Sequence, residues 1–192
     1  MARSAGICLI VGALLWVSAA ISPVAFRVFG RPVEEQVTTI AASPGGWRFI
    51  NLAFGSGSVV ATIGLLLFAV VTSSLDGPNY VRWLAWAAAI MAAAGLVLWL
   101  LIIADRIISP QNFTSPGGSG AAWWFPAYTV LTQLAIITLG YVVLQSGFPA
   151  WLGWVLMLLA GLSLVTFLIV RDMVPATHYL LLLVLGIMLL RR

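Results

Sequence analysis

The stretch VRWLAWAAAIMAAAGLVLWLLIIA, residues 81–104, decides the fold. Its one charge, Arg82, sits at its edge, and the rest is apolar for longer than the roughly 20 residues a helix needs to cross a bilayer core. The run is continuous, with none of the alternation a barrel strand shows, so it reads as a helix whose backbone groups are all satisfied within the segment. Moving outward in both directions, the same kind of run recurs. Six are found: Ala5–Ala25, Arg48–Thr72, Val81–Ala104, Ala121–Leu144, Ala150–Val170 and Val174–Leu190. The first also has the look of a secretory signal peptide, with Arg3 before an apolar run and small residues at Ser18-Ala19-Ala20, and is read as the first transmembrane helix. The last is short and leans on Arg191 and Arg192 to reach the interface. The expected architecture is all-α: one domain over residues 1–192, an integral membrane bundle of six transmembrane helices.

Composition agrees. Of 192 residues, 62% are hydrophobic and 7% charged, with a mean hydropathy of +1.12. A soluble domain carries about 25% charge, so a soluble enzyme, a disordered tail and a disulfide scaffold are all excluded. The net charge of +4 comes from nine basic residues, all Arg, scattered between the apolar runs. That pattern fits topology and headgroup contact rather than nucleic acid. The absence of Lys removes Schiff-base chemistry. One Cys, Cys8, and one His, His178, exclude an internal disulfide, bis-His haem and multi-His metal sites, so no cofactor and no metal are expected.

Tryptophans gather at span edges: Trp47, Trp83, Trp86, Trp123, Trp124, Trp151 and Trp154, as an interfacial belt would. Short links after the second, fourth and fifth spans predict antiparallel neighbours. The long first link holds PVEEQVTTI, residues 32–40, with Val33, Val37 and Ile40 at helical spacing, Pro32 suited to a helix start and Glu34 and Glu35 at its positive end. It predicts a short amphipathic helix on the membrane surface, stopped by Ser43-Pro44-Gly45-Gly46. The link Ser109–Gly120 is rich in Ser, Pro and Gly and reads as irregular. Arg counts of four and five on the two sides leave orientation nearly open; cytoplasmic termini are preferred because they put both long links outside.

Polar chemistry is sparse. In the second span Arg48, Asn51, Gly55, Ser58 and Thr62 share a face; in the third, Ala85, Ala88, Ala92, Gly95, Trp99, Ile102 and Arg106 do. The fourth adds Tyr128, Thr129, Thr132, Gln133 and Thr138, and the fifth Gly153, Ala160, Gly161, Ser163 and Thr166. Such stripes serve as helix-packing seams or as a ligand path, the seam being preferred. Chain parity brings Arg27, Arg48, Asn51, Asp105, Arg106, Arg171, Asp172 and His178 to one rim, where an Asp–Arg network is expected. That rim reads as interfacial anchoring or as the mouth of a ligand pocket using Arg48, Asn51, Arg106, Trp123, Trp124, Tyr128, Arg171 and His178. No GxSxG, HExxH, CxxC or P-loop occurs, and no span carries a mid-membrane carboxylate.

Three short segments, Arg3-Ser4-Ala5-Gly6, Glu35-Gln36-Val37 with Ile40-Ala41-Ala42-Ser43-Pro44, and Phe148-Pro149-Ala150-Trp151-Leu152-Gly153, together resemble a broad bacterial family of small multi-pass membrane proteins carrying a domain of unknown function. The resemblance implies a bacterial cell membrane and a helical bundle, and brings no activity or site residues with it.

Three kinds of function remain in view. The first is a non-enzymatic accessory subunit or a binder of lipophilic ligands, with membrane lipids, other membrane subunits or a second copy as partners and no nucleic acid. The second is an intramembrane enzyme on an isoprenoid or other lipid, with Asp105 or Asp172 as acid and Trp99, Trp123, Trp124 and Tyr128 stabilising a cation. The third is a small oligomeric transporter. The first is the preferred reading.

Overall fold

A computed structural model describes residues 1–29, 31–74, 78–110, 113, 120–171 and 176–191. Among them every regular element is helical: α1 (Ala2–Ala20), α2 (Pro23–Val28), α3 (Val33–Ala42), α4 (Pro44–Ser73), α5 (Asn79–Ile108), α6 (Trp124–Gln145), α7 (Ala150–Val170) and α8 (Ala176–Leu190). Five of them, α1, α4, α5, α6 and α7, are long and apolar enough to cross a membrane. The 30 residues each of α4 and α5 make about 45 Å of helix, well beyond a 30 Å hydrocarbon core. At 15 residues α8 reaches only about 22 Å.

The first apolar run does not stay one helix. It stops at Ala20 and restarts as α2, because Pro23 has no N–H to give and its ring clashes with the preceding turn. Ser22 caps the new start, its Oγ accepting the Ala25 N–H at 3.2 Å. The helix expected in the first link is present as α3, with Glu34 and Glu35 exposed in its first turn. Its buried face differs from the expected one. Ile40 is inside together with Gln36, whose Nε2 donates to the Arg31 carbonyl at 2.6 Å, while Val37 stays partly exposed. The helix packs on α2 and the start of α4, and that tie rotates its stripe away from Val37.

Around the bundle the helices run α8, α1, α4, α5, α6, α7, with α7 touching α8 only lightly. The links after α4 and α6 do make neighbours of the helices they join. The link after α7 does not, because α8 leaves α7 and lies along α1. Glycine makes that possible: a Cβ added at Gly6 would sit 2.8 Å from the Gly186 carbonyl oxygen. The α1–α4 contact is as close, with a Cβ at Gly57 falling 2.8 Å from the Gly12 oxygen. Pairings such as Leu9 with Gly64 and Trp16 with Phe54 run in opposite order along the two chains, so α1 and α4 are antiparallel.

Candidate functional site

The small-residue stripe of α5 is buried as its spacing predicts: Ala85, Ala88, Gly95, Trp99, Ile102 and Arg106 all face inward. So is the polar stripe of α4 at Asn51, Gly55, Ser58 and Thr62. Arg48 is the exception. It lies at the margin of that arc and turns its side chain outward, where the guanidinium keeps its solvation.

At the rim where α4 begins and α5 ends, Trp47 is buried, not interfacial, and its Nε1 donates to the Arg106 carbonyl at 2.8 Å. That carbonyl is in the last turn of α5, where no helical N–H remains to reach it. The Arg106 side chain is 1% exposed, its guanidinium 5.1 Å from the Trp99 ring and 5.2 Å from the Phe113 ring. Trp47, Phe113, Phe29 and Phe54 complete an aromatic plug above it. Trp47→Phe keeps the ring packing and removes one buried hydrogen bond, so it should lower stability by about 1 kcal/mol. Thermal unfolding in detergent measures this, and an unchanged midpoint would mean that the bond contributes nothing.

Asp105 also sits at this rim, where its Oδ2 accepts the Gly120 backbone N–H at 2.8 Å. Gly120 has φ +74, a conformation that suits glycine, and the Trp124 ring covers its α-carbon, so the carboxylate pins the chain just before α6. Asp172, the other acid of the expected Asp–Arg network, lies outside the described residues. Arg171 ends α7 in the left-handed conformation, φ 60, with its side chain exposed. Trp123 is 61% exposed, and Trp124 is half-buried and packed against the edge of the core; neither lines the cavity deeper in the bundle. Trp83, Trp151 and Trp154 are exposed as an aromatic belt would be.

Deeper in the bundle, α4, α5, α6 and α8 line a half-open cavity of about 30 Å³. Its polar lining comes from Ser58, Thr62, Tyr128, Thr132, His178 and Tyr179, with Trp99 beside them. Two Trp–Tyr stacks meet at it through their tyrosines: Trp16 on Tyr179 (4.7 Å, 12°) and Trp99 on Tyr128 (4.8 Å, 21°). Phe54 packs between the two indoles. The Ser58 hydroxyl donates to the Phe54 carbonyl at 2.8 Å, so in its 2.6 Å pair with Tyr179 the phenol is the donor. Thr62 likewise donates back to the Ser58 carbonyl at 2.9 Å.

Trp99 Nε1 and both ring nitrogens of His178 lack a hydrogen-bond partner here, whereas the Tyr128 hydroxyl faces those of Thr132 and Tyr179. All three side chains are 3% exposed. A buried polar atom left unmade costs about 1–3 kcal/mol, so Trp99 and His178 have capacity for a polar partner here. Of the residues singled out in the sequence, Trp99, Tyr128 and His178 line the cavity. Asn51 is buried nearer the rim, its Nδ2 given to the Trp47 carbonyl at 2.9 Å. The sequence reading passed over Tyr179 and treated Ser58, Thr62 and Thr132 as packing. The available signal was pairwise: Ser58 with Thr62 and Tyr128 with Thr132 each sit four apart on otherwise apolar helices. Among the described residues no three His, Cys, Asp or Glu side chains converge.

Fold and cavity together define a helical bundle with at least five membrane-length helices and a polar pocket in its interior. Comparison with protein-family models, with curated proteins and with solved structures gives no match.

Proposed function

We propose that this chain is a six-span membrane protein that binds a lipophilic ligand by its polar end. In this reading α8 is the sixth span, α3 rests at the membrane surface, and the chain sits in a bacterial inner membrane with both termini on the cytoplasmic side. The observation that carries the proposal is the set of buried, unmatched polar atoms on Trp99 and His178, two side chains that line one cavity. Two further features support it. The cavity is bracketed by α6 and α8, which pack little on each other, and outside them the α7–α8 seam is the loosest in the bundle. In a bilayer that seam faces acyl chains, so a ligand can enter sideways without crossing water. The enzymatic alternative is less well supported, because the described acid, Asp105, does not line the cavity and its Oδ2 is engaged by the Gly120 backbone.

Purification of the full chain in a mild detergent, followed by native mass spectrometry, tests the reading. A chain carrying one lipid-sized adduct is expected. A bare chain, under conditions in which a known lipid-binding membrane protein keeps its lipid, would contradict it.

A further inference from the structure

A second recess lies at the rim, where α3, the start of α4 and the end of α5 meet in a half-open groove of about 430 Å³. That is on the scale of small-ligand pockets, roughly 300–1,000 Å³. Its walls include Val37 and Ala41 of α3, Trp47 and Arg48 of α4, and Ile107 and Ile108 of α5. Among the described lining residues Arg48 carries the only charge, and the Trp47 N–H is already given to the Arg106 carbonyl. The acids of these elements are placed elsewhere. Asp105 accepts the Gly120 N–H, and Glu34 and Glu35 stand in the first turn of α3, at the end away from Ala41. Among the described residues the exposed Arg48 side chain makes no ion pair and no hydrogen bond.

A free guanidinium at the lip of an otherwise apolar groove is complementary to an amphiphile with an anionic head. The surroundings fit a lipid. Exposed apolar residues continue from the groove along both helices: Leu52 one turn on from Arg48 in α4, and Ala104 and Leu101 one and two turns back from Ile108 in α5. In the proposed six-span placement, on which this site rests, those stripes lie against acyl chains and the groove opens at headgroup depth. We infer that the groove seats one anionic phospholipid, its phosphate on the Arg48 guanidinium and the start of an acyl chain against Val37 and Ile108. The site is distinct from the interior cavity, with which it shares no lining residue.

The full chain, stripped of lipid by detergent exchange, is titrated with phosphatidylglycerol, with phosphatidylcholine of the same acyl chains, or with soluble glycerol 3-phosphate, and bound molecules are counted by native mass spectrometry. Phosphatidylglycerol should bind about three- to tenfold more tightly than phosphatidylcholine. Arg48→Gln should abolish that preference and Arg48→Lys should keep part of it. Ala41→Trp, which fills the groove from an exposed position, should weaken binding with the charge intact. Arg171→Gln, exposed at the end of α7 and outside the groove, should change nothing. The inference is overturned if the two lipids bind equally, if Arg48→Gln and Arg171→Gln lose the same amount, or if glycerol 3-phosphate binds as tightly as the lipid. It is also overturned if the chain forms a lipid-independent dimer that Ala41→Trp disrupts, which would make a second copy the occupant. Any of these results removes the groove site and leaves the interior cavity standing, because the adduct that survives purification there is expected in Arg48→Gln as in the native chain.

Discussion

Gly57→Val should be among the most damaging single substitutions in the chain. Gly57 lies at the α1–α4 crossing, where an added Cβ would come 2.8 Å from the Gly12 oxygen and 2.9 Å from the Trp16 nitrogen. Both are backbone atoms, so no side-chain rotation relieves the clash and one helix has to move. Overpacking that side chains can absorb costs about 1–3 kcal/mol, and here a loss of about 3 kcal/mol or more is expected. In a membrane the helices are held by close packing and not by exclusion of water, so forcing α1 away from α4 removes the main attraction between them. Thermal unfolding in detergent should show a fall of several degrees or a largely unfolded preparation. Gly161→Ala is the paired control, since a Cβ there meets nothing within 4 Å. It should be neutral, or stabilising by up to about 1 kcal/mol from helix propensity. Equal damage from both would refute the close crossing.

The second large effect is expected at Trp99. Its ring forms one wall of the cavity, stacks on Tyr128 and lies 5.1 Å beneath the Arg106 guanidinium. Trp99→Ala therefore opens a void, loosens Tyr128 and leaves a buried cation with one aromatic face instead of two. Truncations of a buried Trp cost about 3–5 kcal/mol, and the cation–π contact adds to that. Trp99→Phe should retain much of the stability, having kept a ring in place, while removing a buried N–H that has no partner. Trp83→Ala, at a position 74% exposed, should stay within about 0.5 kcal/mol. If Trp83→Ala destabilises as much as Trp99→Ala, burial at the cavity wall is not what sets the cost.

Much of this bundle is legible from sequence, because membrane-length apolar runs leave helices little alternative. The stripe from Ala85 to Arg106 is read correctly, since 3.6-residue spacing alone decides which side of a straight helix faces inward. The break at Pro23 was visible as a residue and hidden by the apolar run around it. Partner choice was harder. That α8 lies on α1 depends on Gly6 meeting Gly186 across the whole length of the chain, and no local pattern encodes that match. The site was half legible for the same reason. Tyr128 and His178 stand out as polar groups in apolar helices. Their convergence with Tyr179 and Ser58 is a product of how four helices meet. Trp47 shows the opposite failure: a Trp at a span edge usually marks the interface, and here a free carbonyl in the last turn of α5 draws it inside.

The number of crossings is the claim on which the rest depends, and side-specific labelling of single cysteines tests it most directly. In a Cys8→Ser background, cysteine replaces Ala42 or Ala122 at one end of the bundle, or Ser74, Gln145 or Arg191 at the other, all of them exposed. In intact membrane vesicles an impermeant thiol reagent should reach Ala42→Cys and Ala122→Cys from one side only, and Ser74→Cys, Gln145→Cys and Arg191→Cys from the other side only. If Ala42→Cys and Ala122→Cys label from opposite sides, or Arg191→Cys labels together with Ala122→Cys, the chain does not cross the membrane six times.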